Sequence, residues 1–276
     1  MTSAAAFTEA GKVGAFVRRD LLIAWSYRLA FFTDIVNMAA QAFVFSIIGQ
    51  LVDPAQLPRY GGSATTYMEF VAIGLVLNLV ITLLLDRVAN AIRQEQVIGT
   101  LESLLTTPTR TATIQIGSAA FEFLWVPVRA ALFLLAIALG FGLDFHASGV
   151  LPAAAIMLAF VPFVWGLGLV SAGTILTFRR GGGGAAAVAT LLGLASGAFF
   201  PVELLPGWLS WITAVNPIAI ALDGIREALL GGSGWSEVGS AVAVLAPLSI
   251  ASLAIGVAAF RLALRRERRL GTLGLY

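Results

Sequence analysis

Apolar runs of membrane-crossing length alternate with short polar connections along this chain. A spanning helix needs about 20 mostly apolar residues. Six stretches answer to that: 29–52, 66–86, 113–142, 150–177, 185–200 lengthened by the residues after Phe200, and 239–262. In the first, Ala40-Gln41-Ala42 resembles a signal-cleavage triplet, but Asp34, Asn37 and Gln41 interrupt the apolar core that a signal needs, so it reads as a retained helix. Residues 12–28 place Val13, Phe16, Val17, Leu21, Ala24 and Trp25 at three-to-four spacing, with Lys12, Arg19 and Ser26 largely on other faces. That pattern predicts a helix lying in the membrane interface, Trp25 and Tyr27 near headgroup level; a straight extension of the first span is the alternative.

Charge fixes the orientation. With the N-terminus on the cytoplasmic side, fourteen Lys and Arg fall inside: Lys12 and the arginines at 18, 19, 28, 87, 93, 110, 179, 180, 261, 265, 266, 268 and 269. Only Arg59 and Arg226 fall outside, and Arg129 lies within the third span. The positive-inside rule then places both termini in the cytoplasm. Composition agrees with a membrane chain: 59% of residues are hydrophobic and 12% charged, where soluble domains carry about a quarter charged. No cysteine is present, which removes disulfide and thiolate chemistry, and one histidine, His146, is poor material for a metal site. Sixteen arginines against one lysine suggest a high-GC bacterial genome.

The non-spanning segments are short. The tract "RRGGGGAAA" at 179–187 reads as a tight inner turn; the nucleotide-binding pattern G-x-x-x-x-G-K-[ST] occurs nowhere. After the fifth span, Pro201, Pro206 and Gly207 break the helix, and Trp208, Leu209, Trp211 and Ile212 form a short apolar turn. Asn216-Pro217 then reads as an N-cap with proline at the first helical position, starting a helix that shows Ile218, Leu222, Ile225 and Leu229 on one side. Asp223, Arg226 and Glu227 make a partly self-paired polar side. Two such helices are too polar to cross and too apolar to float free. They predict a re-entrant hairpin at the outer leaflet, or an ordinary outer loop with an amphipathic helix.

The segment "QEQVIGTLESLLTTP", 94–108, lies in the longest cytoplasmic loop. Thr100 suits an N-cap with Gly99 before it, Pro108 ends the helix, and Glu102 sits in the first turn where the dipole favours an anion. Leu101, Leu104 and Leu105 form a small apolar patch. Its destination is the inner leaflet or a groove on a partner protein. Glu95, Glu102 and nearby Asp86 disfavour anionic lipid, which brings the partner protein into contention.

"IRQEQVIGTLESLLTTPT" resembles the E-x-x-x-G-T-L-E-x-L-L-x-T-P element of type-2 ATP-binding-cassette transporter permeases. "SGAFFPVELLPGWLSWITAVNPIAIALDGIRE" is similar to that family's second signature, between spans five and six. The resemblance implies an all-α integral membrane fold of six spans and the membrane subunit of an ATP-driven exporter, carried in the bacterial cytoplasmic membrane. No cofactor would bind this chain; ATP and Mg would be held by a separate cytosolic ATPase, usually two permeases with two ATPases, here as a permease homodimer. Residues 1–28 would be the connecting helix region, 29–262 the transmembrane domain and 263–276 a cytoplasmic tail. The segment 94–108 would be the coupling helix, through Glu95, Gly99, Thr100, Leu101, Glu102, Leu104, Leu105 and Pro108. Outer re-entrant helices at 201–230 would form a gate through Pro201, Glu203, Pro206, Trp208, Asn216, Pro217, Asp223 and Arg226.

Polar residues within spans are costly and raise a functional question by default. Asp34, Asn37 and Gln41 share one stripe of the first span, and Asn78, Thr82 and Asp86 one of the second. Glu122 and Arg129 share a face of the third, about 10 Å apart along the axis, with Pro127 between them. They line a translocation path or hold the bundle together by interhelical hydrogen bonds. His146, with Asp144 and Ser148 in a short loop, reads as solvated loop, since a catalytic triad is built across a fold. The resemblance implies a hydrophobic or amphipathic cargo, a drug, lipid or lipid-linked glycan; the apolar spans suit an amphiphile and a bilayer equally. The alternative class is a secondary transporter or membrane enzyme; internal repeats, which many secondary transporters show, are not evident.

Overall fold

The computed structural model describes residues 2–26, 28–53, 55, 57–61, 65–98, 111–178, 183–204 and 206–270. Most of the described residues are helical, with no strand among them. They form nine α-helices in chain order: α1 (Thr2–Ser26), α2 (Arg28–Gly49), α3 (Tyr67–Ile98), α4 (Thr111–Phe141), α5 (Val150–Phe178), α6 (Gly183–Leu194), α7 (Gly207–Val215), α8 (Pro217–Leu229) and α9 (Trp235–Leu270).

The chain's own signals set several helix ends. Thr66 and Glu69 form a reciprocal capping box at the start of α3: the Thr66 amide donates to Glu69 Oε2 at 2.7 Å, and the Glu69 amide to Thr66 Oγ1 at 3.3 Å. Asn216 caps α8 as its sequence predicts, its Oδ1 accepting from the Ile218 amide at 3.0 Å, with Pro217 at the first position. Gly142, at φ 65°, stands just past the end of α4 in the left-handed conformation that closes helices.

α3 is the axis of the bundle. It touches α2, α4, α5, α6 and α8, and from Phe70 to Leu77 every residue is buried whichever way it points. Further along, burial narrows to Val80, Ile81, Leu84, Leu85, Val88 and Ala89, the stripe of a helix with one face covered. The most extensive pairing is α5 with α9. There Gly166 and Gly256 meet backbone to backbone, and Ser252 Oγ donates to the Phe163 carbonyl at 3.1 Å. In lipid, helices associate through such close van der Waals approach, because apolar side chains gain nothing by leaving hydrocarbon.

Among the described residues, four helices are long and apolar enough to cross a membrane: Tyr67–Ala89 in α3, Ala120–Phe141 in α4, Ala147–Phe178, which includes α5, and Val238–Glu267 in α9. The first expected span is helical, with a shorter apolar portion at Ile35–Gly49, and the fifth is the twelve-residue α6. α9 runs past the expected end at 262 to Leu270, carrying Arg261, Arg265, Arg266 and Arg269. α1 lies against α4, and Tyr27, between α1 and α2, is outside the described residues. Arg87 on α3 and these α9 arginines mark the basic end of the bundle.

Candidate functional site

At the basic end, α1 is fastened to α3 through a carboxylate. On α1, Val13, Phe16, Val17 and Asp20 fall on one stripe, and Asp20 is 5% exposed. Its Oδ2 accepts from Arg87 Nη2 of α3, and its Oδ1 from Arg19 Nε at 2.9 Å. Phe16 fills the space left by Gly117 on α4. Sequence reasoning does not single out Asp20, although a signal is present: it is the only acid between Glu9 and Asp34, and it occupies a helix stripe that is otherwise apolar.

Beyond Arg87, α3 continues through Glu95 to Ile98, so the first residues of 94–108 extend an existing helix. Gly99, Thr100, Leu101, Glu102, Leu104, Leu105 and Pro108 lie outside the described residues, as does the side chain of Glu95.

At the opposite end, the second signature folds over the mouth of α3. A 3-10 turn (Val202–Leu204) comes after α6, then α7 and α8. Pro201 is buried and Glu203 and Pro206 are exposed; the side chain of Trp208 is outside the described set. Asn216 Nδ2 donates to the Leu192 carbonyl of α6 at 2.7 Å, so one side chain both caps α8 and anchors it.

Arg226 departs from the sequence reading. Expected on the polar side of its helix, it is 1% exposed and points into the bundle. Its Nε and Nη2 donate to the Phe70 carbonyl of α3 at 3.2 and 2.9 Å, and Nη2 also to the Ala198 carbonyl at 3.3 Å. The guanidinium carbon lies 3.5 Å from the centre of the Phe70 ring, and Asp223 Oδ1 is 3.8 Å from Nη1. The planar fork with its five donors serves several acceptors at once, which makes burial of the charge tolerable. Tyr60, from the preceding loop, lines a small recess of 210 Å³ with Arg226, Asp223 and Glu203. Burial pushes its phenol up to about 12, against the pull of the Arg226 charge, so Tyr60 stays a neutral hydroxyl.

The described polar residues of the spans meet different surroundings within this chain. Asn37 and Gln41 are exposed on the surface of α2, and Thr82 on that of α3. The side chain of Asp34 is outside the described residues. Asn78 faces Gly193 of α6. Glu122 is half-buried on α4, near the stacked Phe121–Trp125 and Phe123–Trp165 pairs. Arg129 enters a groove of 680 Å³ between α2, α3 and α4, whose walls include Met38, Ala42, Leu79, Leu83, Phe133 and Ile137. His146 rests on the end of α8, its amide donating to the Leu229 carbonyl at 2.8 Å. Among the described residues no three His, Cys, Asp or Glu converge as metal ligands.

A protein-family model described as ABC-2 type transporter matches residues 12–230, from within α1 through α8. No curated protein matches the chain.

Proposed function

The chain belongs to the ABC-2 type transporter family as a multi-pass membrane permease, and from that premise we propose that it is the membrane half of an ATP-driven exporter of amphiphiles. The family match over residues 12–230 carries this reading, and the helical bundle with its fastened ends is consistent with it. In this reading α2 and α6 complete six spans. The apolar residues α2 leaves exposed, such as Phe32, Phe43 and Leu51, suit a hydrocarbon surrounding.

The basic end faces the cytoplasm, where the positive-inside rule puts it, in the inner membrane of a bacterium. There α1 is the connecting helix and residues 94–108 dock into a cytosolic ATPase. At the outer face α7 and α8 form a re-entrant gate closed over α3. Two permeases pair with two ATPases. Asn37 and Gln41 support the pairing: amides on a hydrocarbon-facing helix are costly alone and gain partners across a helix–helix contact.

The test is reconstitution with the cognate ATPase. Replacing Leu101, Leu104 and Leu105 together with Ser abolishes permease-stimulated ATP hydrolysis while membrane insertion is retained. Normal stimulation in that variant removes the docking assignment. Transport by the purified chain without any ATPase would instead favour a secondary transporter.

A further inference from the structure

The groove between α2, α3 and α4 contains one charged residue among its described lining, and that residue sits at one end. Arg129 is nine residues into the Ala120–Phe141 span, close to its middle. From Arg129 the groove runs along α4 to Gly140 and Phe141, twelve residues or about 18 Å, a little more than the roughly 15 Å of one leaflet. Its volume of 680 Å³ falls within the roughly 300–1,000 Å³ of small-ligand sites. The Gly140 end is open: a Cβ added there meets nothing within 4 Å.

Past Phe141 lies a second recess, 470 Å³ in volume, with Ser46, Gln50, Thr66 and Glu69 in its wall. Glu69 is the one charged group among the described residues lining it. Along their described linings, a cation in mid-membrane at one end and a carboxylate beyond the other give the groove a polarity; Glu122, about 10 Å further along α4 on the Arg129 face, lies outside both linings. An amphiphile with an anionic head is attracted to the first and repelled from the second. Arg129 also interacts within the bundle, and its five-donor fork has capacity for both duties.

We propose that this groove binds an acyl amphiphile with an anionic head, the head paired with Arg129 and the tail running along α4 toward Gly140. The proposal names a cargo class and rests on the export reading for that role. Binding is measured on the chain alone, so either can fail without the other.

The experiment uses the full chain in nanodiscs at pH 8 and three probes of equal tail length: palmitate, hexadecanol and hexadecyltrimethylammonium. The parent prefers palmitate. Arg129→Gln weakens palmitate binding roughly tenfold or more and leaves hexadecanol unchanged, the scale of one charge-assisted hydrogen bond. Arg129→Lys retains the preference for palmitate. Gly140→Leu fills the open end and weakens all three probes, with Arg129 intact. Equal palmitate and hexadecanol affinities in the parent overturn the proposal, as does unchanged palmitate affinity in a folded Arg129→Gln. Should that variant fail to fold, Gly140→Leu decides: undiminished palmitate binding there places the ligand elsewhere.

Discussion

Replacing Arg226 with Met keeps the length of the side chain and removes the fork. The Ala198 carbonyl loses its Arg226 donor, and the Phe70 carbonyl keeps only what its own helix supplies. Charge-assisted hydrogen bonds contribute roughly 1.5–3 kcal/mol each, so two acceptors set an upper range of about 3–6 kcal/mol. Against this, a buried guanidinium carries a desolvation penalty that methionine does not, and Met packs well on the Phe70 ring. A net loss of about 3 kcal/mol is expected. For a chain of this size each kcal/mol moves the midpoint by roughly 2–4 °C, which gives a fall of about 6–12 °C. The assay is a thermal series read by fluorescence-detected size exclusion in one detergent. Arg226→Lys retains the charge without the planar fork and falls between the two. A midpoint within about 2 °C of the parent for Arg226→Met, or full stability in Arg226→Lys, would refute the clamp.

The two ends of the bundle can be probed separately. Asp20→Ala removes the buried carboxylate from Arg87 at a cost of about 3 kcal/mol; limited proteolysis should then release α1 sooner, and the swap Asp20→Arg with Arg87→Asp should recover part of the protection. Unchanged cleavage in the single variant would count against the fastening. Tyr60 binds its proton more tightly folded than unfolded, so its stabilisation is complete below pH 10 and is lost as pH rises toward 12. Tyr60→Phe should flatten the alkaline decline over that window by up to about 1.4 kcal/mol per pH unit, measured as thermal midpoint against pH; an identical slope in parent and variant contradicts this.

The apolar runs locate the helices well because length and hydropathy are local properties. The Asn216-Pro217 start is likewise a local signal, and the fold uses it as read. The T-x-x-E box at Thr66–Glu69 is equally local, yet it is easily missed at the edge of a run whose dominant signal is hydropathy. What escapes the sequence depends on which surface meets which. Arg226 stands beside Asp223 and Glu227 and reads as part of a polar face; only the arrival of Phe70 and Ala198 around it turns it inward. The intramembrane polar residues read as stripes because periodicity is all a single helix shows. Packing then separates them, Asn37 and Gln41 to the surface, Asn78 toward α6 and Arg129 into its groove. The coupling and gate residues are named through family resemblance, and periodicity alone leaves their destinations open.

α3 is held near Phe70 by one arginine and near Arg87 by one aspartate, with seventeen residues, about 26 Å, between the two grips. A helix pinned at both ends behaves as a shaft. Its two grips are made to neighbouring helices, so a shift of α3 along or about its axis strains Asp20–Arg87 and Arg226–Phe70 together. In the proposed reading, a displacement begun at the ATPase-docking end would reach the outer helices through this one rod, by way of the Arg226 grip on the Phe70 and Ala198 carbonyls.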